Sequence, residues 1–360
     1  MNAIRYEKDN QNIVHLIMDN PNASANVMDD NFRSSFHSCV EKVLAETDLS
    51  GIIFRSAKKT FFAGGDLNSL ILAKPENSKE FFDMVTGMKS DMRKLETLGV
   101  PVVAAITGAA LGGGWELCLA SHYRIAVNSP KIKVGMPEAT LGLLPGAGGV
   151  VRTVRLLGIQ NALPFLAEGK QVNPEKALAK GLIHELADNE EQLLEKAVTW
   201  IKANPQSQQP WDVKGYKIPG GTPSHPAMAQ LLPIAPAMMR QKTRGCLPAP
   251  EAILSAAVEG AQVDFEAALR IESRYFVELA TGQVSKNLIQ AFWFQLNEIK
   301  AGASRPKGVE PKPVQKVGIL GAGMMGAGIA YSCAIRGIET VLKDVSDGVS
   351  VVGTPAEVLT

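Results

Sequence analysis

Strand and helix signals alternate along the first 185 residues of this 360-residue chain. Short apolar runs at Ile13–Met18, 51–55, 100–106 and Tyr123–Val127 are typical of buried strands, and residues 31–46 space their apolar side chains as a helix with one buried face does. Strands separated by helices build a largely parallel sheet, whose ligand sites lie at strand ends and helix N-termini. We therefore predict an α/β fold.

Charge and cysteine content exclude several classes of function. The chain has 37 basic and 36 acidic residues, a net charge of +1, so no overall field attracts nucleic acid or an anionic membrane. The four cysteines have neither zinc-site spacing nor a disulfide pattern, which fits a reducing compartment. No signal sequence and no apolar run of about 18 residues is present. We expect a cytoplasmic protein without a metal or a membrane span.

Three glycine-rich segments share one design: KTFFAGGDL (59–67), GAALGGGWEL (108–117) and GMPEATLGLLPGAGGVVR (135–152). Glycine lets the backbone approach a ligand closely, and a helix N-terminus offers unpaired N–H groups. One N–H from each of the first two segments would form an oxyanion hole, with the carboxylates of Glu116 and Glu138 beside it. Any one such loop is more often a packing device, but the three in this order are far more specific.

These segments resemble the crotonase (enoyl-CoA hydratase/isomerase) superfamily over roughly residues 1–190. The resemblance implies a crotonase-type ββα spiral core. It places the oxyanion N–H groups on Gly65 and Gly113 and the catalytic carboxylates on Glu116 and Glu138. The other matched positions belong to the substrate and water site of the family: Ala63, Asp66 and Gly146.

The same resemblance implies a 2-enoyl-CoA substrate and hydration of its 2,3 double bond. Glu116 would deprotonate the water and Glu138 would deliver a proton to C2, with no cofactor. One glutamate acting alone would instead move the double bond, so isomerisation is expected as a side activity. Lys58 and Lys59 are either contacts for the CoA nucleotide or solvated loop lysines.

His122 departs from the pattern, because many simple crotonases carry an aspartate there. Two roles remain open for it. The side chain is either a polar core residue bonded to backbone, which we favour, or a catalytic group.

A second motif follows near the end of the sequence. A strand, a glycine turn, a helix and a second strand are predicted over residues 316–343. The turn carries Gly321, Gly323 and Gly326, and Asp344 follows the second strand, where an acidic residue binds the adenosine ribose of NAD. The sequence therefore predicts the start of a dinucleotide-binding fold.

Over its whole length the chain is similar to the multifunctional fatty-acid β-oxidation enzymes, in which a crotonase domain, a helical linker and a 3-hydroxyacyl-CoA dehydrogenase follow one another. We predict a crotonase domain at 1–190, a helical and Pro-rich linker region at 191–313, irregular over 204–250, and an incomplete Rossmann βαβ unit at 314–360. Residues 346–360 do not match that family's continuation. We expect an incomplete NAD site and no dehydrogenase activity from these 360 residues.

The expected partners are an acyl-CoA substrate and either further copies of the chain or a thiolase subunit. Two other functions stay open: an NAD-dependent 3-hydroxyacyl-CoA dehydrogenase, as the longer relatives imply, and a non-catalytic CoA-binding or scaffold subunit.

Overall fold

Six strands form the main sheet of the computed structural model, which describes residues 2–310, 312–345 and 350–353. Their order is β1-β2-β3-β4-β6-β8; β1 runs antiparallel to β2 and the other neighbours are parallel. The strands are β1 (Ile4–Lys8), β2 (Ile13–Met18), β3 (Gly51–Ser56), β4 (Val102–Ile106), β6 (Tyr123–Val127) and β8 (Glu185–Ala187), and a separate small sheet pairs β5 (Ala110–Leu111) with β7 (Val134–Gly135).

The central strands are apolar on both faces because helices cover both faces. Ile53 points into one cluster, where helix α8 (Glu190–Ala203) packs through Leu193, Ala197 and Ile201. Its neighbour Ile52 points to the opposite face, into the larger cluster with α1 (Asp30–Leu44) and α3 (Ser78–Glu96). The predicted parallel α/β sheet is confirmed.

The remaining helices of this part of the chain follow in order. They are α2 (Leu67–Leu70), α4 (Gly113–Ala120), α5 (Gly149–Leu157), α6 (Ile159–Leu166), α7 (Pro174–Ala179), α9 (Pro226–Leu231), α10 (Ala235–Thr243), α11 (Pro248–Gly260), α12 (Phe265–Thr281), α13 (Gln283–Leu288) and α14 (Leu296–Lys300), with a π-helical stretch at Ile289–Gln295. Within the described residues, no helix combines the length and the apolar character needed to cross a bilayer.

The chain divides into two compact units, Met1–Asn297 and Glu298–Thr360. Helix α12 packs on α3 and α5, and α11 packs on α5 and α6, so residues 248–281 belong to the same unit as the main sheet. The predicted boundary at residue 190 therefore does not separate compact units, although it stays a prediction for the family's domain division. The segment 204–250 was expected to be irregular, and that is wrong in part, because α9 and α10 lie within it.

The second unit is a small three-stranded sheet with one helix. Strands β9 (Lys316–Leu320) and β10 (Glu339–Lys343) are parallel and joined through α15 (Met324–Ala334), and β11 (Ser350–Gly353) pairs antiparallel with β10. Its buried core contains Ile319, Ala330 and Leu342. This is the predicted βαβ unit; residues 346–349 and 354–360, part of the segment that we expected to depart from the family, lie outside the described residues.

Candidate active site

Backbone hydrogen bonds hold the three glycine-rich segments together. The N–H of Phe62 donates to Ala109 O at 3.0 Å, and the N–H of Leu111 donates to Phe62 O at 2.9 Å, which joins the first segment to the second. The N–H of Gly112 donates to Gly135 O at 2.9 Å and joins the second to the third. Three segments that are far apart in the sequence are thus joined by backbone hydrogen bonds into one continuous surface.

Two glycines make the contact between the first two segments possible. Gly64 has φ +109° and Gly112 has φ +53°, conformations that favour glycine. A Cβ on Gly112 would lie 3.2 Å from the Cα of Gly64 and 2.7 Å from Oε1 of Glu138. The two loops therefore meet backbone to backbone, directly against one of the predicted carboxylates.

The two predicted oxyanion donors lie on these loops. Gly65 follows Gly64 and is exposed, whereas Gly113 is the buried first residue of α4. Among the described residues, neither N–H donates a hydrogen bond within the protein. Both remain available to an acceptor outside the chain.

Glu116 lies on the first turn of α4 and is 2 % exposed. Its Oε1 accepts hydrogen bonds from the N–H groups of Ala147 and Gly149, each at 2.7 Å, at the start of α5. In the described part of the chain no hydrogen bond reaches its Oε2. One oxygen thus anchors the carboxylate and the other is left for a ligand or water.

Glu138 lies in a short 3₁₀ turn, Pro137–Leu141, and its side chain is half-buried. Its Oε2 is buried and, among the described residues, has no hydrogen-bond partner. A buried carboxylate oxygen without a partner is costly when ionised, which favours the protonated acid.

The two acids influence each other. Burial, followed by the charge of Glu272, raises the pKa of Glu116 to about 7, although the N–H groups of Gly149 and Ala147 and the charge of Lys89 oppose the rise. Burial, followed by the charge of Glu116, raises the pKa of Glu138 well above the usual range. Two neighbouring acids titrate as a pair, and near neutral pH this pair favours one ionised and one protonated carboxyl group.

In the second unit the glycine turn lies between β9 and α15. Gly321 has φ +96°, and a Cβ on Gly326 would lie 1.8 Å from Gly321 O, so helix and turn approach too closely for any side chain. Gly323 caps α15, and a Cβ there would meet no atom within 4 Å. Asp344 accepts the N–H of Ala322 at 3.0 Å. These residues fit the phosphate turn of a dinucleotide site.

The profile of the family described as "Enoyl-CoA hydratase/isomerase" matches residues 8–209, more than half of the chain. The chain belongs to this family. A second profile, "3-hydroxyacyl-CoA dehydrogenase, NAD binding domain", matches residues 316–354, the strands and glycine turn of the second unit. The prediction that the sequence departs from the family after residue 345 is therefore wrong for residues 346–354.

Similar proteins agree with this membership. The fatty acid oxidation complex subunit alpha of Idiomarina loihiensis is 35% identical over 349 residues, which are 96% of this chain and 48% of that protein. The chain therefore spans about half the length of this relative. DspI of Pseudomonas aeruginosa is 26% identical, with a TM-score of 0.50, over 57% of this chain and 82% of that one. The enoyl-CoA hydratase of Bacillus halodurans, 22% identical with a TM-score of 0.56 over 81% of this chain and 100% of that one, shares the fold.

The three other predicted positions of the hydratase/isomerase site have clear structural settings. Ala63 is exposed, and its N–H donates to Asn26 O at 2.8 Å. Asp66 caps α2; burial opposes its ionisation, but hydrogen bonds from Ser69 and Asn68 lower its pKa. A Cβ on Gly146 would lie 2.5 Å from the ring of Phe276. Their roles toward substrate and water stay predictions.

His122 has the core position that we favoured. Its Nδ1 accepts the N–H of Val102 at 3.0 Å, so Nε2 carries the proton and donates to Glu96 O, also at 3.0 Å. Burial lowers its pKa, so the ring is neutral at pH 7.

Lys58 lies 3.6 Å from Asp19, an ion pair that does not decide between a CoA contact and a solvated lysine.

A lysine already occupies the strongest candidate for a metal site. His37, Glu41 and Asp91 form the one group of possible metal ligands found in the described residues. The ammonium of Lys94 lies 3.1 Å from the carboxylates of both Glu41 and Asp91. One ammonium group is thus shared by both carboxylates.

Two buried charged residues that were not predicted from the sequence lie beside Glu116. Lys89 of α3 and Glu272 of α12 form an ion pair at 2.8 Å, at the same end of α5 that binds Glu116. No local pattern marks either residue, because both occupy ordinary positions on amphipathic helices. A buried Lys or Glu is exceptional only once burial is known.

Proposed function

We propose that the protein is an enoyl-CoA hydratase of fatty-acid oxidation, which adds water across the 2,3 double bond of a 2-enoyl-CoA to give a 3-hydroxyacyl-CoA. One observation carries the proposal. A carboxylate anchored through a single oxygen, that of Glu116, lies beside a carboxyl group, that of Glu138, whose buried oxygen has no partner among the described residues. Membership of the hydratase/isomerase family supports the substrate class.

The environments of the two acids support a division of labour. Glu116, with a pKa of about 7, is ionised in a large fraction of molecules at neutral pH, and its free Oε2 would accept a proton from the attacking water. Glu138, with a pKa well above the usual range, is protonated and would deliver a proton to C2. As water adds to C3, one carboxyl group acts as base and the other as acid.

The thioester oxygen gains negative charge as C3 is attacked. The free N–H groups of Gly65 and Gly113 would donate to that oxygen. The partial positive charge at the N-terminus of α4 would stabilise the negative charge further. Losing one such donor typically raises the barrier by about 3–4 kcal/mol. Backbone donors held by the Gly64–Gly112 contact need no reorganisation during the reaction.

Glu138→Gln tests the proposal. The variant keeps the shape of the side chain but cannot supply the proton, so we expect kcat/KM for crotonyl-CoA hydration to fall by about 10²–10⁴-fold. Loss of absorbance of the conjugated thioester measures the reaction. Glu168→Gln, which alters an exposed acid paired with Lys242, is the matched control and should leave the rate unchanged.

Undiminished turnover in Glu138→Gln would refute the assignment. A wild-type chain that binds acyl-CoA but hydrates nothing would favour the alternative of a non-catalytic CoA-binding or scaffold subunit. Both acids and both free N–H groups argue for catalysis. Movement of the double bond by one of these acids acting alone is the proposed side activity, and a 3-enoyl-CoA substrate tests it.

The second unit supports a proposal about any longer protein that contains it, as the full-length relatives do. In such a protein Gly321, Gly323 and Gly326 would hold the phosphates of NAD and Asp344 the ribose, and NAD would accept a hydride when bound. We propose dehydrogenase activity for such full-length relatives and none for a polypeptide of these 360 residues. Cytoplasmic location and assembly, either with thiolase or with further copies, stay predictions.

A further inference from the structure

The start of α5 binds two carboxylates, not one. Oε1 of Glu116 accepts the N–H groups of Ala147 and Gly149. Glu272, reaching in from α12, accepts the N–H of Gly148 through Oε1 at 2.7 Å and that of Val151 through Oε2 at 3.1 Å. Interleaved N–H groups of one helical turn thus hold the proposed base and a second acid, at the positive end of the helix.

Lys89 balances the second acid. Its ammonium lies 2.8 Å from Oε1 of Glu272 and also donates to Leu269 O at 2.8 Å and to Ser273 Oγ at 2.9 Å. All three ammonium donors are therefore used. The side chains of Lys89 and Glu272 are 3 % and 0 % exposed, so water screens neither charge.

Few other charges face Glu116. Glu138 approaches from the Pro137–Leu141 turn, and Lys89 and Glu272 approach from α3 and α12. Arg152 of α5 is the remaining cation, and it is tied at 3.0 and 2.9 Å to both oxygens of Glu96. Among the described residues, Lys89 and Glu272 are therefore the charges near Glu116 that belong neither to the proposed reaction nor to another ion pair.

We propose that Lys89 and Glu272 are positioning residues for Glu116. Glu272 binds N–H groups of the first turn of α5 and Lys89 holds Glu272, so together they fix where the Glu116 carboxylate lies and how readily it ionises. The inference rests on the proposed function. Glu272 lies outside residues 8–209, the part matched by the hydratase/isomerase profile. Helix α12 would then contribute to the site and not merely connect two regions.

The two charges should act in opposite directions. Glu272→Gln removes a negative charge, so Glu116 ionises more easily and the acid limb of the kcat/KM profile moves to lower pH, by roughly one unit. Lys89→Met removes the cation while Glu272 keeps its two N–H donors, so the acid limb moves to higher pH. A purely structural role would lower the rate at every pH without opposite shifts.

The experiment measures hydration of crotonyl-CoA by the full chain against pH. Glu266→Gln is the matched control, because Glu266 also lies on α12 and pairs with α3, through Arg93 at 2.9 Å, but is 65 % exposed. Its profile should match the wild type. An unmoved acid limb in Glu272→Gln, or a shift of both variants in the same direction, overturns the inference.

Two further measurements keep the outcome decisive. If a single variant fails to fold, Lys89→Met/Glu272→Gln removes both buried charges, and its acid limb should lie between the wild type and Glu272→Gln. ¹³C NMR titration of glutamate-labelled chain, with Glu116→Gln for assignment, follows the carboxyl group without turnover. If the wild type is inactive but the variants shift the titration of Glu116, only the proposed function is wrong. If the wild type is active but the variants leave the titration of Glu116 unshifted, only this inference is wrong.

Discussion

At the scale of single residues, Gly112 carries two constraints at once. Its backbone is left-handed, and a Cβ would lie 2.7 Å from Oε1 of Glu138. Gly112→Ala should therefore displace the proposed acid and lower kcat/KM for hydration by about 10²-fold.

Gly181→Ala separates the two constraints. Gly181 has φ +70°, but a Cβ there would meet no atom within 4 Å. Both variants carry a backbone cost of about 1–2 kcal/mol in unfolding free energy, but Gly181→Ala should keep full activity. Equal losses of activity in the two variants would show that the contact with Glu138 is unimportant.

Sequence and structure differ in which site residues they reveal. Glu116 and Glu138 lie inside glycine-rich segments, where spacing and chemistry coincide, so they could be predicted. Glu272 and Lys89 could not, because only the folded chain brings Glu272 to the turn that also binds Glu116, and Lys89 to Glu272. Local patterns do not encode such tertiary contacts.

At the scale of elements, buried ion pairs tie helix to helix around the site. Arg152 of α5 and Glu96 at the end of α3 are both fully buried and share two hydrogen bonds. Glu96→Gln would leave the guanidinium without its charge partner, and we expect the unfolding free energy to fall by about 3–5 kcal/mol.

Urea unfolding followed by tryptophan fluorescence measures this change. Glu185→Gln is the control, because the Glu185–Lys196 pair has a similarly short distance, 2.8 Å against 2.9 Å, but is about one third exposed. It should cost less than about 1 kcal/mol. Similar losses for the two variants would contradict the view that burial decides the strength of these pairs.

Elements with a clear local pattern were predictable, and those that depend on neighbours were not. Strands β2 and β6 have the bounds predicted from their apolar runs. Strand β1 was not predicted, because its charged residues alternate with apolar ones, as suits a strand at the edge of the main sheet. Helices α9 and α10 were missed because prolines that suggested an irregular segment lie in the first turns of helices, where their fixed φ is favourable.

At the scale of the whole molecule, the segment between α14 and β9 is the expected site of limited proteolysis. Its described residues, 301–310 and 312–315, contain neither helix nor strand and are almost all exposed. Trypsin should cut after Lys307 and leave hydratase activity with residues 1–307, because both acids and both N–H donors lie there. Lys307→Gln should remove this cut; loss of activity on cleavage at Lys307 would contradict the expectation.

The stability of the first unit should depend on pH. A carboxyl group whose pKa is raised in the folded state stabilises the fold below its unfolded pKa, and this contribution is lost as pH rises through the folded value. For Glu116, raised from 4.5 to about 7, the loss between about pH 5 and 8 is roughly 3 kcal/mol. All four tryptophans lie in the first unit, so fluorescence-detected unfolding reports on it.

Glu116→Gln should flatten this dependence and raise the unfolding free energy at pH 8. If the slope were the same in wild type and variant, the acid would not be the group responsible.

The buried oxygen of Glu138, which has no hydrogen-bond partner in the described part of the chain, and the raised pKa of Glu116 have a consequence for directed evolution. A selection for heat resistance alone, at alkaline pH, would enrich neutral replacements of these two acids before most other changes. To obtain variants that are both thermostable and active, each round must therefore also select for turnover.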